Sequence, residues 1–119
     1  MPRRDWKMRI RDILDSIEAL CEYTIGMDYE AFSRDRKTVD AVVRNIIVIG
    51  EAANNVPAGV SEAHPEIPWK VMRDFRNVVV HIYFGVDIKT VWNTVQNDLP
   101  PLAPLLRKLL EDEVNDGET

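Results

Sequence analysis

The chain has 119 residues, with 15 Lys and Arg against 20 Asp and Glu, two His and one Cys. That length makes one domain with room for a hydrophobic core, and lone Cys21 excludes an intrachain disulfide framework and a cysteine-built zinc site. The net charge of −5 argues against a protein held to nucleic acid by a broad basic surface.

The longest apolar run, Ile46–Gly50, falls far short of the roughly 20 residues that a membrane span needs. No charged-then-apolar signal peptide opens the chain, so a cytoplasmic address is the expectation. Charge is laid out in blocks. Residues 1–13 sum to +3, residues 14–33 hold five acids and no base, and the tail from Leu99 onward sums to −3. Basic charge returns at Arg34, Arg36, Lys37 and Arg44, and again at Lys70, Arg73 and Arg76.

The periodicity is helical nearly throughout. Asp5 is a candidate N-cap, followed by an apolar stripe at Trp6, Ile10, Ile13, Leu14, Ile17, Leu20 and Cys21 that predicts a helix ending near Gly26. Asp28–Ser33 reads as a short connector of about one helical turn. A second long helix is expected from about Thr38 to Val56, with an apolar arc wide enough to touch two neighbours. Pro57, Gly59, Pro65 and Pro68 bracket a loop, and a third helix starts near Trp69 and stops at Gly85 in the C′ position. Asp87 caps a fourth helix through about Asn97. Pro100, Pro101 and Pro104 then punctuate a last helix over roughly Leu102–Glu113. No stretch alternates with period two. The expectation is an all-α up-down bundle of four to five helices, one domain over 1–114, with 115–119 as a frayed tail.

One segment is chemically loaded: Arg73 through Gly85. Taking 100° per residue with Arg76 at zero, Val71, Met72, Phe75, Val78, Val79 and Ile82 fall between about 200° and 320°, an arc for the core. The opposite half holds Arg76, Arg73 near 60°, Asn77 near 100°, Lys70 near 120° and His81 near 140°. Tyr83 lies about 20° to the other side of Arg76. Asn77 and His81 are i,i+4 neighbours, so the amide can orient the imidazole. Val80, in the middle of the polar half, is either a contact with another chain or a scattered surface valine. His81 falls in the last turn, where the negative end of the helix dipole favours an imidazolium suited to acid catalysis or a phosphate contact. Each residue also has a plainer reading: His81 as a helix cap, Arg76 as a surface ion-pair partner, Tyr83 as a core-edge aromatic.

Arg76-Asn-Val-Val-Val-His81 resembles the Arg-polar-(x)n-His signature of HEPN domains, and the extension through Ile82 to Tyr83 is similar to the HepT subgroup of toxins. Five segments resemble the HepT pattern in order: Ile49–Ala53, His64–Trp69, His81–Asp87, Val91–Trp92 and Asp98–Leu102. The resemblance implies an all-α ribonuclease toxin, active as a homodimer whose two Arg/His motifs form one composite cleft. It implies a partner, an MntA-type nucleotidyltransferase antitoxin, that silences the toxin by attaching AMP to a tyrosine. Carried onto this sequence, Arg76 and His81 are the catalytic residues, Asn77 the supporting polar residue and Tyr83 the modified tyrosine. Lys70 and Arg73 are candidate RNA phosphate contacts. The chemistry agrees: the 2′-OH of RNA is the nucleophile, so cleavage to a cyclic phosphate calls for no metal or cofactor. A positioned acid or base contributes roughly 10²–10⁴-fold, and a guanidinium neutralises the phosphate charge. One His per chain cannot be base and acid in the same step, whereas two chains supply two.

Outside that segment, Glu51 sits on the most apolar helix and is expected to be buried and paired with an Arg, or to face the cleft. Gly50 is expected to permit a close helix crossing. Trp69 reads as a helix-start anchor, Trp92 and Cys21 as core, and His64 as surface. No His/Asp/Glu cluster has metal-ligand spacing, and no glycine-rich phosphate loop is present. The competing reading is a catalytically idle helical module that binds a nucleotidyltransferase partner or a nucleotide. The acidic balance favours that module; the intact Arg76/His81 pair favours the enzyme.

Overall fold

Three aspartates start the first three helices. Asp5 accepts from the Lys7 N–H at 3.2 Å, Asp28 from the Ala31 N–H at 2.8 Å and Asp35 from the Thr38 N–H at 3.1 Å. Each carboxylate satisfies a first-turn donor that has no partner inside its helix, at the positive end of the dipole. The computed structural model describes residues 5–83 and 88–117, with the side chains of residues 76, 78–83 and 113–117 outside the description. Among the described residues there is no strand, and seven α-helices run α1 (Trp6–Tyr23), α2 (Tyr29–Arg34), α3 (Arg36–Asn54), α4 (Ala58–Ala63), α5 (Trp69–Tyr83), α6 (Ile88–Asn93) and α7 (Leu102–Gly117). The all-α expectation holds. The count exceeds four to five because connectors fold into short helices.

The long helices carry the core. α1 buries Ile10, Ile13, Ile17 and Leu20, with Trp6, Leu14 and Cys21 half-buried against them. It ends at Tyr23 because the Thr24 hydroxyl folds back onto the Leu20 carbonyl at 2.9 Å. Gly26 then turns the chain at φ 76°, where a side chain would be strained. α3 buries eight positions, Val39 through Ala53, and lies between α1 and α5. The wide arc therefore meets two neighbours, as expected. Phe32 of α2 is fully buried and stacks at a tilt on Trp92, ring centroids 5.1 Å apart. Trp92 is half-buried against the core rather than enclosed in it. Burying side chains of this size stabilises the fold by about 1.5–3 kcal/mol each.

Three boundaries differ from expectation. The proline-bracketed segment contains α4, not only loop: the Pro57 carbonyl accepts from the Val60 and Ser61 N–H groups, and a proline before the first turn loses no helical bond. The fourth helix is α only to Asn93 and continues as a π-turn over Thr94–Asp98. There the Leu99 N–H reaches the Thr94 carbonyl at 3.0 Å, and the wider turn keeps Val91, Val95 and Leu99 together in the core. α7 runs to Gly117, past the expected Glu113. Pro104 is harmless in its first turn, where its missing N–H would have no partner. The Gly85 stop and the Asp87 cap lie outside the described residues. Among the described residues, no helix is long and apolar enough to cross a membrane.

Candidate active site

α5 is anchored at its N-terminus. Trp69 is buried, and its indole N–H donates to the His64 carbonyl at 3.0 Å. It is the helix-start anchor that its position after Pro68 implied. Met72 and Phe75 continue the buried stripe. Arg73 reaches across the helix pair: its Nε donates to the Ala53 carbonyl at the end of α3, 3.3 Å away. The same carbonyl also accepts from the Val56 N–H at 3.3 Å, so Arg73 adds a second donor to it and ties the start of α5 to the end of α3.

From that anchor α5 runs unbroken to Tyr83, so the Arg76, Asn77, His81 and Tyr83 positions all belong to one helix. At 1.5 Å per residue, positions 76 and 81 are separated by about 7.5 Å along the axis, and 76 and 83 by about 10.5 Å. His81 holds a last-turn position, as the sequence implied. Asn77 is exposed. The side chains of Arg76, Val80, His81 and Tyr83 lie outside the described residues. Lys70 is exposed and donates to Asp74 at 3.0 Å; an exposed i,i+4 pair of this kind holds its lysine weakly. The Arg73 guanidinium keeps further N–H donors beyond Nε.

Several expectations are corrected. Val71 is 49% exposed, not in the core: it falls beside Lys70 at the edge of the arc, and Met72 and Phe75 fill the contact. Glu51 is exposed rather than buried. Asp40, Arg44 and Glu51 share one solvated stripe of α3 (i, i+4, i+11), which the apolar composition of the helix conceals. His64 is half-buried, not on the surface: its side chain is 15% exposed, with Nδ1 3.4 Å from Glu66. The cause is the compact turn in which its carbonyl receives both the Ile67 N–H and the Trp69 indole. Gly50 is buried on α3, the helix that packs on α5. Cys21 is half-buried, and burial pushes its thiol above the ordinary range. Among the described residues no group of three or more His, Cys, Asp or Glu could hold a metal ion.

Sequence reasoning missed a groove of about 400 Å³ between the C-terminal half of α1 and the start of α7, where Leu14, Cys21 and Ile25 face Pro100 and Pro104 and Glu18, Glu22 and Arg107 add charge to the lining. The signal was present in Pro100 and Pro104, short rigid side chains that form one wall of the groove.

Comparison with known proteins decides the family. A profile described as ribonuclease HepT-like matches residues 13–109, from the middle of α1 into α7 and across all of α5. The chain belongs to the HepT-like ribonuclease family. A protein of Thermococcus cleftensis named "Probable ribonuclease HepT" is 41% identical over 107 residues, covering 90% of this chain and 97% of that relative. A relative from Methanocaldococcus jannaschii that carries RNase in its name is 38% identical over 112 residues, 94% of this chain and 97% of its own. Another, from Caldanaerobacter subterraneus and likewise bearing RNase in its name, is 34% identical over 104 residues, 87% of this chain and 93% of its own. No solved structure matches. Shared length on both sides means that this HepT-like ribonuclease aligns with these relatives as a whole domain.

Proposed function

We propose that this HepT-like ribonuclease is a metal-independent endoribonuclease toxin, cutting RNA at a composite cleft formed by two copies of α5. The observation that carries the reading is the family match across α5, together with an unbroken helix bearing both Arg76 and His81. The 2′-OH attacks the adjacent phosphorus, forming a 2′,3′-cyclic phosphate and expelling the 5′-oxygen. His81 of one copy takes the hydroxyl proton, and His81 of the other protonates the leaving oxygen. Arg76 binds the phosphate oxygens as negative charge develops on them. Asn77 orients the imidazole from one turn away, and Val80 packs between the copies. Lys70 and Arg73 contribute positive charge beside the RNA path.

The same face explains how the toxin is silenced. A nucleotidyltransferase antitoxin of the MntA type transfers AMP from a nucleoside triphosphate to the Tyr83 phenol oxygen, and pyrophosphate leaves. The bulky phosphodiester then stands beside Arg76, neutralises it and blocks RNA. Co-expression with the antitoxin is expected to add one or more AMP masses to the wild type and none to Tyr83→Phe; an unchanged wild type with active partner refutes the silencing step. Cleavage is expected from the unmodified wild type and not from His81→Ala. An unmodified protein that cuts no RNA leaves the idle binding module as the correct description.

A further inference from the structure

Among the described residues, α3 is the only helix that α5 packs against extensively. Packing alone settles the crossing angle of two helices only to within about 15–20°. A pivot of about 15° at Trp69 would carry position 81, about 18 Å further along the axis, through roughly 5 Å. A misplacement of about 1 Å in an active site can cost about 10²-fold in rate. Contact with α3 therefore does not by itself place the motif, and a second constraint has to fix the direction of α5.

The turn over His64–Trp69 supplies it. Its path is stiff: Pro65 and Pro68 fix their own φ angles, Ile67 is buried, and the Trp69 backbone N–H closes on the Ile67 carbonyl at 2.9 Å. The His64 carbonyl is held inside this turn by the Ile67 N–H at 3.2 Å. The Trp69 indole N–H donates to the same oxygen at 3.0 Å, and the residue is only 6% exposed. A buried indole is thus fixed by its packing and by one directed bond. Four residues on, Arg73 is pinned to a different element, the Ala53 carbonyl of α3. Two pins on two elements, about 6 Å apart along the axis, set both the direction and the roll of α5.

We propose that Trp69 is a positioning residue for RNA cleavage: its indole N–H, locked to the His64 carbonyl, aims α5 so that positions 76 and 81 meet the substrate. The inference rests on the ribonuclease reading of α5. Removing the indole N–H leaves the His64 carbonyl with its Ile67 donor, so no buried acceptor loses its last partner. Loss of the bond therefore costs orientation more than stability. Trp92 provides the comparison, because it is half-buried and stacks on Phe32 of α2, outside α5.

Trp69→Phe and Trp92→Phe each reduce an indole to a phenyl ring and are compared with wild type. RNA cleavage gives kcat and KM, denaturant unfolding gives stability, and backbone amide resonances report on residues 76–83 of α5. For Trp69→Phe, kcat is expected to fall by about 10–10²-fold with KM near wild type, and the resonances of 76–83 to shift. For Trp92→Phe, kcat and those resonances stay near wild type although stability falls at least as far. In the wild type, the Trp69 indole proton is expected to exchange slowly with solvent; fast exchange overturns the proposal without any variant. So does a Trp69→Phe protein with wild-type kcat, with unshifted resonances, or with a kcat loss that Trp92→Phe matches. A wild type that cuts no RNA fails the ribonuclease reading instead, and the resonance shifts still decide whether the indole bond aims α5.

Discussion

α3 and α5 are neighbours of similar length that divide their sequences differently. α3 turns half its circumference inward and buries eight positions against α1 and α5. Among its exposed residues, Asp40, Arg44 and Glu51 share a solvated stripe. Among the described residues, α5 buries Trp69, Met72 and Phe75, and the same helix carries Arg76 and His81 of the motif. One helix holds the bundle together; the other is held by it and carries the proposed catalytic motif. Positioning comes from the contact between them, and Arg73 on the Ala53 carbonyl is the polar part of that contact.

Substitutions on the two helices should therefore fail in different ways. The largest expected effect is on α5: Arg76→Ala lowers the RNA cleavage rate by about 10²–10³-fold, the typical loss when one donor to a developing anion is removed. Its melting temperature stays near that of wild type. A parallel loss of stability would place Arg76 in the scaffold and dissolve the contrast. On α3, Ile46→Ala empties a fully buried site and is expected to destabilise by about 2–5 kcal/mol. Denaturant unfolding measures it, and a loss below about 1 kcal/mol would mean that α3 is not the central packing element.

At the junction, Arg73→Lys keeps the charge but cannot reproduce the Nε bond to Ala53. If Arg73 acts mainly as a tie between helices, the turnover rate falls while the salt dependence of RNA binding is unchanged. A reduced salt slope with normal turnover would instead make it a phosphate contact. The smallest effect is expected at Asp35, whose carboxyl lies below the usual carboxylate range because the Thr38 N–H and hydroxyl hydrogen-bond to it. A depressed folded-state pKa stabilises at neutral pH, and that contribution disappears as pH falls through it. Asp35→Ala should therefore lower the melting temperature slightly near pH 7, with the difference closing at strongly acidic pH. A gap that persists in acid would contradict the cap.

How much of this was legible in the sequence follows from what each signal encodes. The stripe Ile10, Ile13, Ile17, Leu20 and the arc of α3 were readable because periodic burial writes itself into periodic hydrophobicity. The cap at Asp5 was readable from side-chain chemistry, whereas Asp28 and Asp35 cap helices whose starts the periodicity did not mark. α4 was not, because three prolines and a glycine in one segment outweigh local turns that need only two or three backbone bonds. Val71 was misjudged because a helical wheel fixes angle, not the width of the neighbour that covers it, and the buried alternative for Glu51 failed because the composition of a helix does not say which face a residue takes. In the proposed site, Arg76, His81 and Tyr83 came from the resemblance to the HepT pattern, not from helical periodicity. The Arg73–Ala53 bond joins residues 20 apart in sequence, and nothing local announces it.

The central claim is that the polar face of α5 cleaves RNA without a metal. The most direct measurement is the initial rate of RNA cleavage in excess EDTA, wild type against His81→Ala, with the product ends identified. The prediction is undiminished wild-type cleavage giving 2′,3′-cyclic phosphate ends, and a rate lower by at least about 10²-fold in the variant. Loss of wild-type cleavage in EDTA, or equal rates for the two proteins, would contradict it.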